Sequence, residues 1–501
     1  MSRALTEDRR TTALMAALML ASILPFLFGS AVQMHDAANH MARIHILAEG
    51  TGNADLMRGY LIHWRWAGNM GVDLPAVLLG QVIGVEAAVS IVTAITAPLT
   101  ILGIFLLSRA AYGRLSGGAA LAVPLALSQL FFWGFLNYNL SIALALIVAA
   151  RWRAKPPETI LSAIGFGVAA LIVWTCHLVG WGGMMLMIGG FEIAKLFGNW
   201  RALPRRILLG LPLLVPLIPT ILWRSSDAAP LLFLRGDWIG TKIMNFGTIL
   251  RGISKPLDLG MTAIIGIAAV AALIASRRLD RQLGTAATLL VAFTLILPQV
   301  AMGSWGADLR ITPWAVLIGL LAIAPTGPRS ERVLIGLGVA FLAVRIVAVC
   351  WTWHGWTAAQ RPQLALLDRV PRGVRLAYAY VDRECGIDWP IRPEKQIGSL
   401  SVVRRDVTAN TLFVVRGADL VEMRRPYDRV RWTNGSQEIH IADCPSGRPL
   451  PERAAEPLKA MAQDFDWIWI VADPGIATDT LPVPPGMARV AAAPGSLLLH
   501  R

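Results

Sequence analysis

The chain has few charged residues for its length and few cysteines. Only 16% of its 501 residues are charged, and the mean hydropathy of +0.56 excludes an ordinary soluble globular protein. None of the four cysteines stands in a C-x-x-C pair, so neither a metal cage nor a thioredoxin-like motif is indicated. Hydrophobic residues make up 55% of the sequence and fall in long runs, which indicates a polytopic α-helical membrane protein.

The apolar runs number about eleven, and most are near the length that a bilayer requires. They lie near residues 12–33, 84–108, 117–134, 136–150, 158–175, 178–196, 206–223, 259–276, 284–301, 311–325 and 331–350. The first run is about 20 residues long, whereas the core of a signal peptide has about 7–15, so we expect an uncleaved anchor.

Clusters of basic residues occupy every second polar break between these runs. They are Arg109 and Arg114; Arg151, Arg153 and Lys155; Arg201, Arg205 and Arg206; Arg277, Arg278 and Arg281; and Arg329 and Arg332. By the positive-inside rule these breaks and the N-terminus face the cytoplasm, and an odd number of spans puts the C-terminus on the opposite side, in the periplasm or its equivalent. Topology therefore explains the net charge of +14, and no nucleic-acid partner is expected.

The sequence predicts two domains. Residues 1–354 form a transmembrane domain with long outer loops at 34–75 and 224–258, and residues 355–501 form a soluble periplasmic domain. Strand-like runs and a helical pattern favour an α/β or α+β fold for the second domain. The strand-like runs lie at 374–381, 399–403, 411–415, 467–471 and 488–499, and the helical pattern at 452–464.

One absence and one pair of residues further define the C-terminal domain. No Gly-rich nucleotide-binding loop follows any of its strand-like runs. Cys385 and Cys444 both lie in this domain, and in an oxidising compartment they could form a disulfide.

The most informative polar stretch, residues 33–43, follows the first apolar run. Read as a short helix, it places Asp36, His40 and Arg43 on one face at i, i+4 and i+7, with Asn39 beside them. A carboxylate, an imidazole and a guanidinium beside a membrane segment favour the site of a membrane enzyme. The alternative is a solvated turn at the membrane surface.

Further polar residues fall on the same predicted outer face. They are Trp64, Asn137, Tyr138, His177, Trp305, Asp308 and Arg310. The aromatic residues either form an interfacial belt or stack on sugars, and His177 is either an interfacial residue or a ligand. Arg310 precedes an apolar run and needs an anionic partner, which is either Asp308 or a lipid phosphate.

Four stretches of the sequence resemble landmarks of the GT-C superfamily of glycosyltransferases. They are residues 35–43 (HDAANHMAR), 64–73 (WRWAGNMGVD), 134–138 (GFLNY) and 307–310 (ADLR). GT-C enzymes are multi-helix membrane proteins that use lipid-phosphate-linked sugars, carry an acidic residue in the first outer loop and often end in a soluble outer domain. The resemblance is to bacterial members, so it implies a GT-C-like fold in a bacterial inner membrane, and it maps the acidic residue onto Asp36.

The resemblance leaves metal dependence open. Many GT-C members have two acidic residues at this position, whereas Asp36 stands between His35 and Ala37. A single carboxylate is a poor divalent site, so no metal ligands are assigned, and a divalent metal would need a further residue such as Asp55.

The expected function is transfer of a sugar from a polyprenyl-phosphate donor to a lipid or glycan acceptor on the outer face, among membrane lipids. Asp36 would act as the base together with His40, and Arg43, Arg310 and His177 would bind the donor phosphate. The substrate cavity would be lined by Asn39, Trp64, Asn137, Tyr138, Trp305 and Asp308.

Two other classes of function stay open. One is a transporter or flippase of a lipid-linked or small solute, which the lack of an internal repeat disfavours. The other is a non-catalytic subunit for envelope assembly.

Overall fold

The structure is a computed structural model that describes residues 2–29, 32–197, 199–222, 237–301, 304–386, 388–413, 419–428, 432 and 435–501. The predicted outer loop at 224–258 is therefore described from residue 237 onward, and its residues 224–236 lie outside the described residues.

Helices dominate the sequence before the C-terminal part. They are α1 (Ser2–Ala21), α2 (Ala37–Glu49), α3 (Ala54–Gly59), α4 (Asp73–Ile83), α5 (Val85–Ala94), α6 (Thr96–Tyr112), α7 (Gly117–Ala122), α8 (Gln129–Phe132), α9 (Leu136–Ala154), α10 (Ile160–Cys176), α11 (Leu178–Leu196), α12 (Leu203–Gly210), α13 (Leu217–Leu222), α14 (Trp238–Gly247), α15 (Lys255–Ser276), α16 (Arg281–Ile296), α17 (Ala307–Ala322) and α18 (Pro328–Ala365).

Four helical segments of the described chain are long and apolar enough to cross a membrane. They are Arg9–Leu27, Val85–Tyr112, Lys255–Ser276 and Pro328–Arg369. Shorter apolar helices such as α10 and α16 accompany them. The chain is thus mostly helical with apolar spans, and the count of about eleven spans stays a prediction.

Prolines divide two of the predicted runs. A 3₁₀ segment, Val123–Leu127, contains Pro124 and separates α7 from α8, and another, Leu211–Leu214, contains Pro212 and separates α12 from α13. Proline has no N–H to donate and clashes with the carbonyl one turn before it, so it interrupts or kinks an α-helix. Hydropathy cannot detect these breaks, because the residues around them remain apolar.

A mixed sheet forms the core of the C-terminal part. The strands of the chain are β1 (Tyr60–Ile62), β2 (Val300–Ala301), β3 (Ser304–Trp305), β4 (Arg375–Asp382), β5 (Thr408–Ala409), β6 (Val421–Met423), β7 (Glu438–His440), β8 (Ala442–Asp443), β9 (Arg448–Pro449), β10 (Trp467–Ala472), β11 (Ala488–Ala493) and β12 (Ser496–His500), and the helices of this part are α19 (Leu400–Arg405) and α20 (Ala455–Asp464). The core sheet has the order β11-β12-β10-β4-β5, with β7 also paired to β4.

The central strands of this sheet are parallel and buried. β4 pairs in parallel with β5, β7 and β10, whereas β12 is antiparallel to both β10 and β11. Every residue of β10 and all but the first of β4 are buried, as expected for central strands that read as continuous apolar runs.

Most of the predicted elements of this part are present, but the runs at 399–403 and 411–413 are not strands. The runs at 374–381 and 467–471 are strands β4 and β10, and the run at 488–499 contains the strands β11 and β12. The helical pattern at 452–464 contains helix α20. The run at 399–403 is not a strand but falls largely in helix α19, which packs against α2. An apolar run of five residues is too short for its periodicity to distinguish a strand from a helix. The element that it packs against determines which of the two forms. Residues 411–413 form no strand, and 414–418 lie outside the described residues.

Several contacts join the C-terminal part to the helices. β1, from the first outer loop, pairs antiparallel with β6. Arg404 of α19 donates two hydrogen bonds, at 2.9 and 3.0 Å, to the Glu86 carboxylate at the start of α5. Helix α18 runs through the predicted boundary at 354/355 as far as Ala365. The division into two domains stays a prediction, and one unbroken helix crosses it.

The structure contains the disulfide between Cys385 and Cys444, whose Cα atoms are 5.3 Å apart. Cys176 and Cys350 are free. The bridge encloses the segment that contains α19 and β5 to β8. By limiting the freedom of that segment in the unfolded chain, it stabilises the fold by about 2–4 kcal/mol.

Candidate active site

A cavity of about 520 Å³ lies between the start of α2, the starts of α9, α11 and α17, and the C-terminal part. Predicted site residues from several distant stretches line it, namely Asp36, His40, Arg43, Asn137, Tyr138, His177, Trp305 and Arg310. The C-terminal part closes the other side with Gln396, Phe413, Asp419 and Glu438. The fold therefore brings together most of the residues that the sequence singled out.

Backbone contacts hold Asp36 at the cavity wall. Its N–H donates to the carbonyl of Trp133 at 3.0 Å, and the N–H of His35 donates to the carbonyl of Phe132 at 2.9 Å. Gly134 makes this approach possible, because its φ is +74° and a Cβ there would lie 2.9 Å from the Asp36 nitrogen.

The Asp36 carboxyl is not committed to a partner among the described residues. Its nearest ionisable neighbour is His35, whose Nε2 is 3.9 Å away, and burial lowers the pKa of His35 to about 4, so that ring is neutral. Burial also raises the pKa of Asp36 to about 8, against the lowering effect of the Arg310 charge. A carboxyl with a raised pKa in a cavity is typical of a functional group.

The raised pKa predicts how stability depends on pH. Folded Asp36 titrates near 8 and its ordinary value is 3.8, so the folded chain binds this proton more tightly than the unfolded chain. This contribution to stability is complete below about pH 4 and is lost as the pH rises through about 8. Asp36→Asn cannot ionise and should raise the melting temperature by about 2 °C or more at pH 8, and by much less at pH 5. Thermal unfolding of both proteins at the two pH values checks this, and an equal difference at both would contradict it.

Arg43 and His40 form a connected pair. Arg43 donates to Nδ1 of His40 at 2.9 Å and to the Asp73 carboxylate at 2.7 Å, and it lies 3.5 Å from Asp419. Two carboxylates already balance the Arg43 charge, so this residue orients His40 and is a weaker phosphate ligand than the sequence suggested. Burial, with smaller effects of Arg43 and His177, lowers the pKa of His40 well below its usual value. Because Nδ1 accepts a hydrogen bond, the neutral ring carries its proton on Nε2.

Arg310 is the uncommitted cation of the cavity. It is 7% exposed, it donates to the carbonyl of Trp305, and its guanidinium carbon lies 4.4 Å from the centre of the Phe135 ring. No carboxylate lies within 4.0 Å of it among the described residues, and its Nε has no hydrogen-bond partner there. The alternative partner considered from the sequence, Asp308, instead accepts from Lys242 at 2.7 Å. A buried guanidinium of this kind calls for an anionic ligand.

Three other predicted residues shape the cavity. Asn137 accepts from the Val72 N–H at 2.6 Å, and Tyr138 donates to the Arg310 carbonyl and lies edge-on to the His177 ring. Nδ1 of His177 accepts from the Val179 N–H at 3.1 Å, so a neutral His177 also carries its proton on Nε2.

The remaining predicted cavity residues lie elsewhere. Asn39 turns away and bonds to the backbone of Thr411 and Phe413, which ties α2 to the C-terminal part. Trp64 is 52% exposed and does not line the cavity. Asp308 faces an adjoining cavity, where Lys242 and Asn245 hold it. Helix periodicity places a residue on a face, but it cannot show which neighbouring segment covers that face.

The donors around Asp36 do not form an evident metal site. Asp55, the carboxylate considered as a second ligand, pairs with Arg58 at 3.2 Å and does not line the cavity. Two clusters of the described residues could hold a metal ion, and neither includes Asp36; they are His45, Glu49 and Asp406, and Asp382, Glu384 and His440. One uncommitted carboxylate is a poor ligand set for a divalent cation.

The comparisons with known proteins identify the fold. No family model and no curated protein matches the sequence. The structure is similar to that of ArnT from Cupriavidus metallidurans bound to undecaprenyl phosphate (TM-score 0.52) and to that of the same protein in the apo state (TM-score 0.53), each with 13% identity and 97% of both chains covered. The chain therefore shares the fold of these two ArnT structures. The resemblance seen in the sequence is thereby confirmed at the level of the fold.

Sequence reasoning missed several residues of this cavity. They are His35, Asn69, Trp133, Phe135, Gln396, Phe413, Asp419 and Glu438. The first four lie inside or beside the polar stretches that the sequence analysis singled out, so their position in the sequence could have identified them. The last four belong to the C-terminal part, and nothing in their local sequence shows that they cover a cavity.

Proposed function

We propose that this chain is a membrane glycosyltransferase that moves a sugar from a polyprenyl-phosphate donor to an acceptor hydroxyl at the outer face of the membrane. One observation carries the proposal: an uncommitted carboxyl, Asp36, and an uncommitted guanidinium, Arg310, line the same cavity. Sugar transfer from a lipid phosphate needs a proton acceptor and a cation for the leaving phosphate.

The cavity residues take distinct roles in this reaction. The acceptor oxygen attacks the anomeric carbon, its proton passes to the ionised form of Asp36, and the bond between that carbon and the phosphate oxygen breaks. The bonding electrons leave on the phosphate, where Arg310 binds the developing charge. His40 and His177, as neutral rings with Nε2–H, supply further hydrogen bonds to phosphate or sugar oxygens. Arg43, fixed by two carboxylates, keeps His40 in place.

The similar ArnT structure supports a polyprenyl phosphate as the lipid. That protein was crystallised with undecaprenyl phosphate, and its chain and this one align over 97% of their lengths. Arg310 and the neighbouring aromatic rings give this chain a place for the phosphate of such a lipid, and no step requires a nucleotide.

The test is release of the lipid phosphate. Purified chain in liposomes would be given undecaprenyl-phosphate sugars, each with a different labelled sugar, together with an extract of bacterial envelope glycolipids as acceptors. We expect undecaprenyl phosphate to be released from at least one donor, with the label recovered in a new product. Movement of intact donor across the bilayer would instead favour the transporter, and an inert chain would favour the assembly subunit.

The proposed location of the reaction requires a defined topology. We expect a cytoplasmic N-terminus and a periplasmic C-terminal domain, because basic clusters mark every second break. Alkaline phosphatase fused after Arg153 should be inactive, and the same enzyme fused after Arg501 should be active. Equal activity of both fusions would contradict the odd number of spans and the shared outer face.

A further inference from the structure

We propose that Arg251, Gln129 and Trp133 form a second oxyanion-binding site, in the cavity beside the candidate active site, for a phosphate or carboxylate of a reactant. This inference rests on the proposed function, because it is a reactant of the sugar transfer that would occupy the site.

The second cavity has a volume of about 350 Å³ and adjoins the first. Trp133 and Trp305 line both cavities, and their rings meet edge to face with centroids 5.4 Å apart. A ligand in the second cavity therefore lies next to the wall that carries Asp36 and Arg310. A reactant that extends past these two rings could occupy both cavities.

Among the described residues that line the second cavity, Arg251 is a cation without a close carboxylate. Asp308 and Lys242 are 2.7 Å apart and cancel. Arg251 is held by neutral groups: it donates to the carbonyls of Asp388 and Trp389, and its guanidinium carbon lies 5.9 Å from the centre of the Trp133 ring. No described carboxylate lies within 4.0 Å of it. Its positive charge thus remains available for an anion.

Buried donors without acceptors point to the same kind of ligand. Gln129 is 2% exposed, lines this cavity, and has an amide nitrogen with no hydrogen-bond partner among the described residues. The indole nitrogen of Trp133 is also buried and unpartnered there. Leaving a buried donor unsatisfied costs about 1–3 kcal/mol, so a ligand that accepts hydrogen bonds from these two groups would be favoured. Two donors and a guanidinium around one cavity are complementary to an oxyanion.

Binding of inorganic phosphate to the purified full-length chain tests the site. Thermal unfolding would be followed against phosphate concentration, with sodium chloride at equal ionic strength as the reference. The variants are Gln129→Met, which keeps the volume and removes the donors, Arg251→Gln, and Arg310→Ala. As a matched control we choose Arg404→Gln, since Arg404 lies outside both cavities.

We expect Gln129→Met and Arg251→Gln each to weaken the phosphate response at the second site about fivefold or more, and Arg310→Ala to leave this component in place. Gln129→Met should also raise the melting temperature of the ligand-free chain, because an unsatisfied buried donor is removed. A purely structural Gln129 would lower it. A response that is unchanged in Gln129→Met and Arg251→Gln, or wholly lost in Arg310→Ala, would overturn the proposal.

Undecaprenyl phosphate distinguishes the two sources of the oxyanion. If Gln129→Met weakens its binding as much as that of inorganic phosphate, the group belongs to the donor lipid. If only the binding of inorganic phosphate weakens, the group belongs to the acceptor. Failure of the sugar transfer itself would be seen separately, as a wild-type chain that releases no undecaprenyl phosphate from any donor.

Discussion

Asp36→Asn should lower sugar transfer by about 10²-fold or more while the chain stays folded. Asparagine keeps the shape of the side chain but cannot take the proton of the acceptor hydroxyl. The loss should appear in kcat, because the proton moves only as the transition state forms. Since Asp36 acts in its ionised form, wild-type kcat/KM should rise with pH up to about 8, where burial has moved its pKa. Steady-state release of undecaprenyl phosphate from the active donor measures both effects.

Asp55→Asn is the matched control for this prediction. Asp55 lies in the same outer loop and undergoes the same change, but it pairs with Arg58 outside the cavity. We expect its transfer rate to stay near that of the wild-type chain. Equal rates for Asp36→Asn and the wild-type chain would remove Asp36 as the base and leave the cavity without an identified proton acceptor.

Arg310→Ala should raise the apparent donor KM by about 10- to 100-fold, because a charge-assisted contact to a phosphate contributes about 1.5–3 kcal/mol. Part of that contact strengthens as the phosphate leaves, so kcat should fall as well. Arg310→Lys should restore the donor KM only partly, since lysine lacks the planar fork that binds two oxygens. Titration of the donor with each variant gives both constants.

The stability of Arg310→Ala separates this role from a structural one. Arg310 is buried without a carboxylate partner among the described residues, and Asp308 keeps Lys242 and Asn245 as partners when Arg310 is removed. The melting temperature should therefore hold or rise. Arg404→Ala provides the contrast, because it leaves Glu86 without its two hydrogen bonds and should destabilise the chain while the donor KM is unchanged. The reverse pattern would make Arg310 a structural residue.

Helix periodicity predicted the positions of Asp36, His40 and Arg43 but not their electrostatic surroundings. The i, i+4 spacing correctly placed Asp36 and His40 on one wall of one cavity. The same spacing could not show that Arg43 is balanced by Asp73 and Asp419, because both carboxylates come from other segments. Nor could it show the proton positions of His40 and His177. Those follow from the donors that face each ring, and the donors are fixed only when the chain has folded.

The sequence by itself determined the class of the fold: long apolar runs, basic residues in alternate breaks and short polar motifs predicted a helical membrane chain with a GT-C-like fold. The similarity to the ArnT structures agrees with that prediction at the level of the fold. These features are local, so they can be recognised without knowing which distant segments come into contact. Tertiary structure alone decided which charges are balanced and which are available. Asp308 and Arg310 are neighbours in sequence, yet Lys242 takes the first and leaves the second facing the cavity. Electrostatic energy depends on distance through space and on burial, and the sequence records neither.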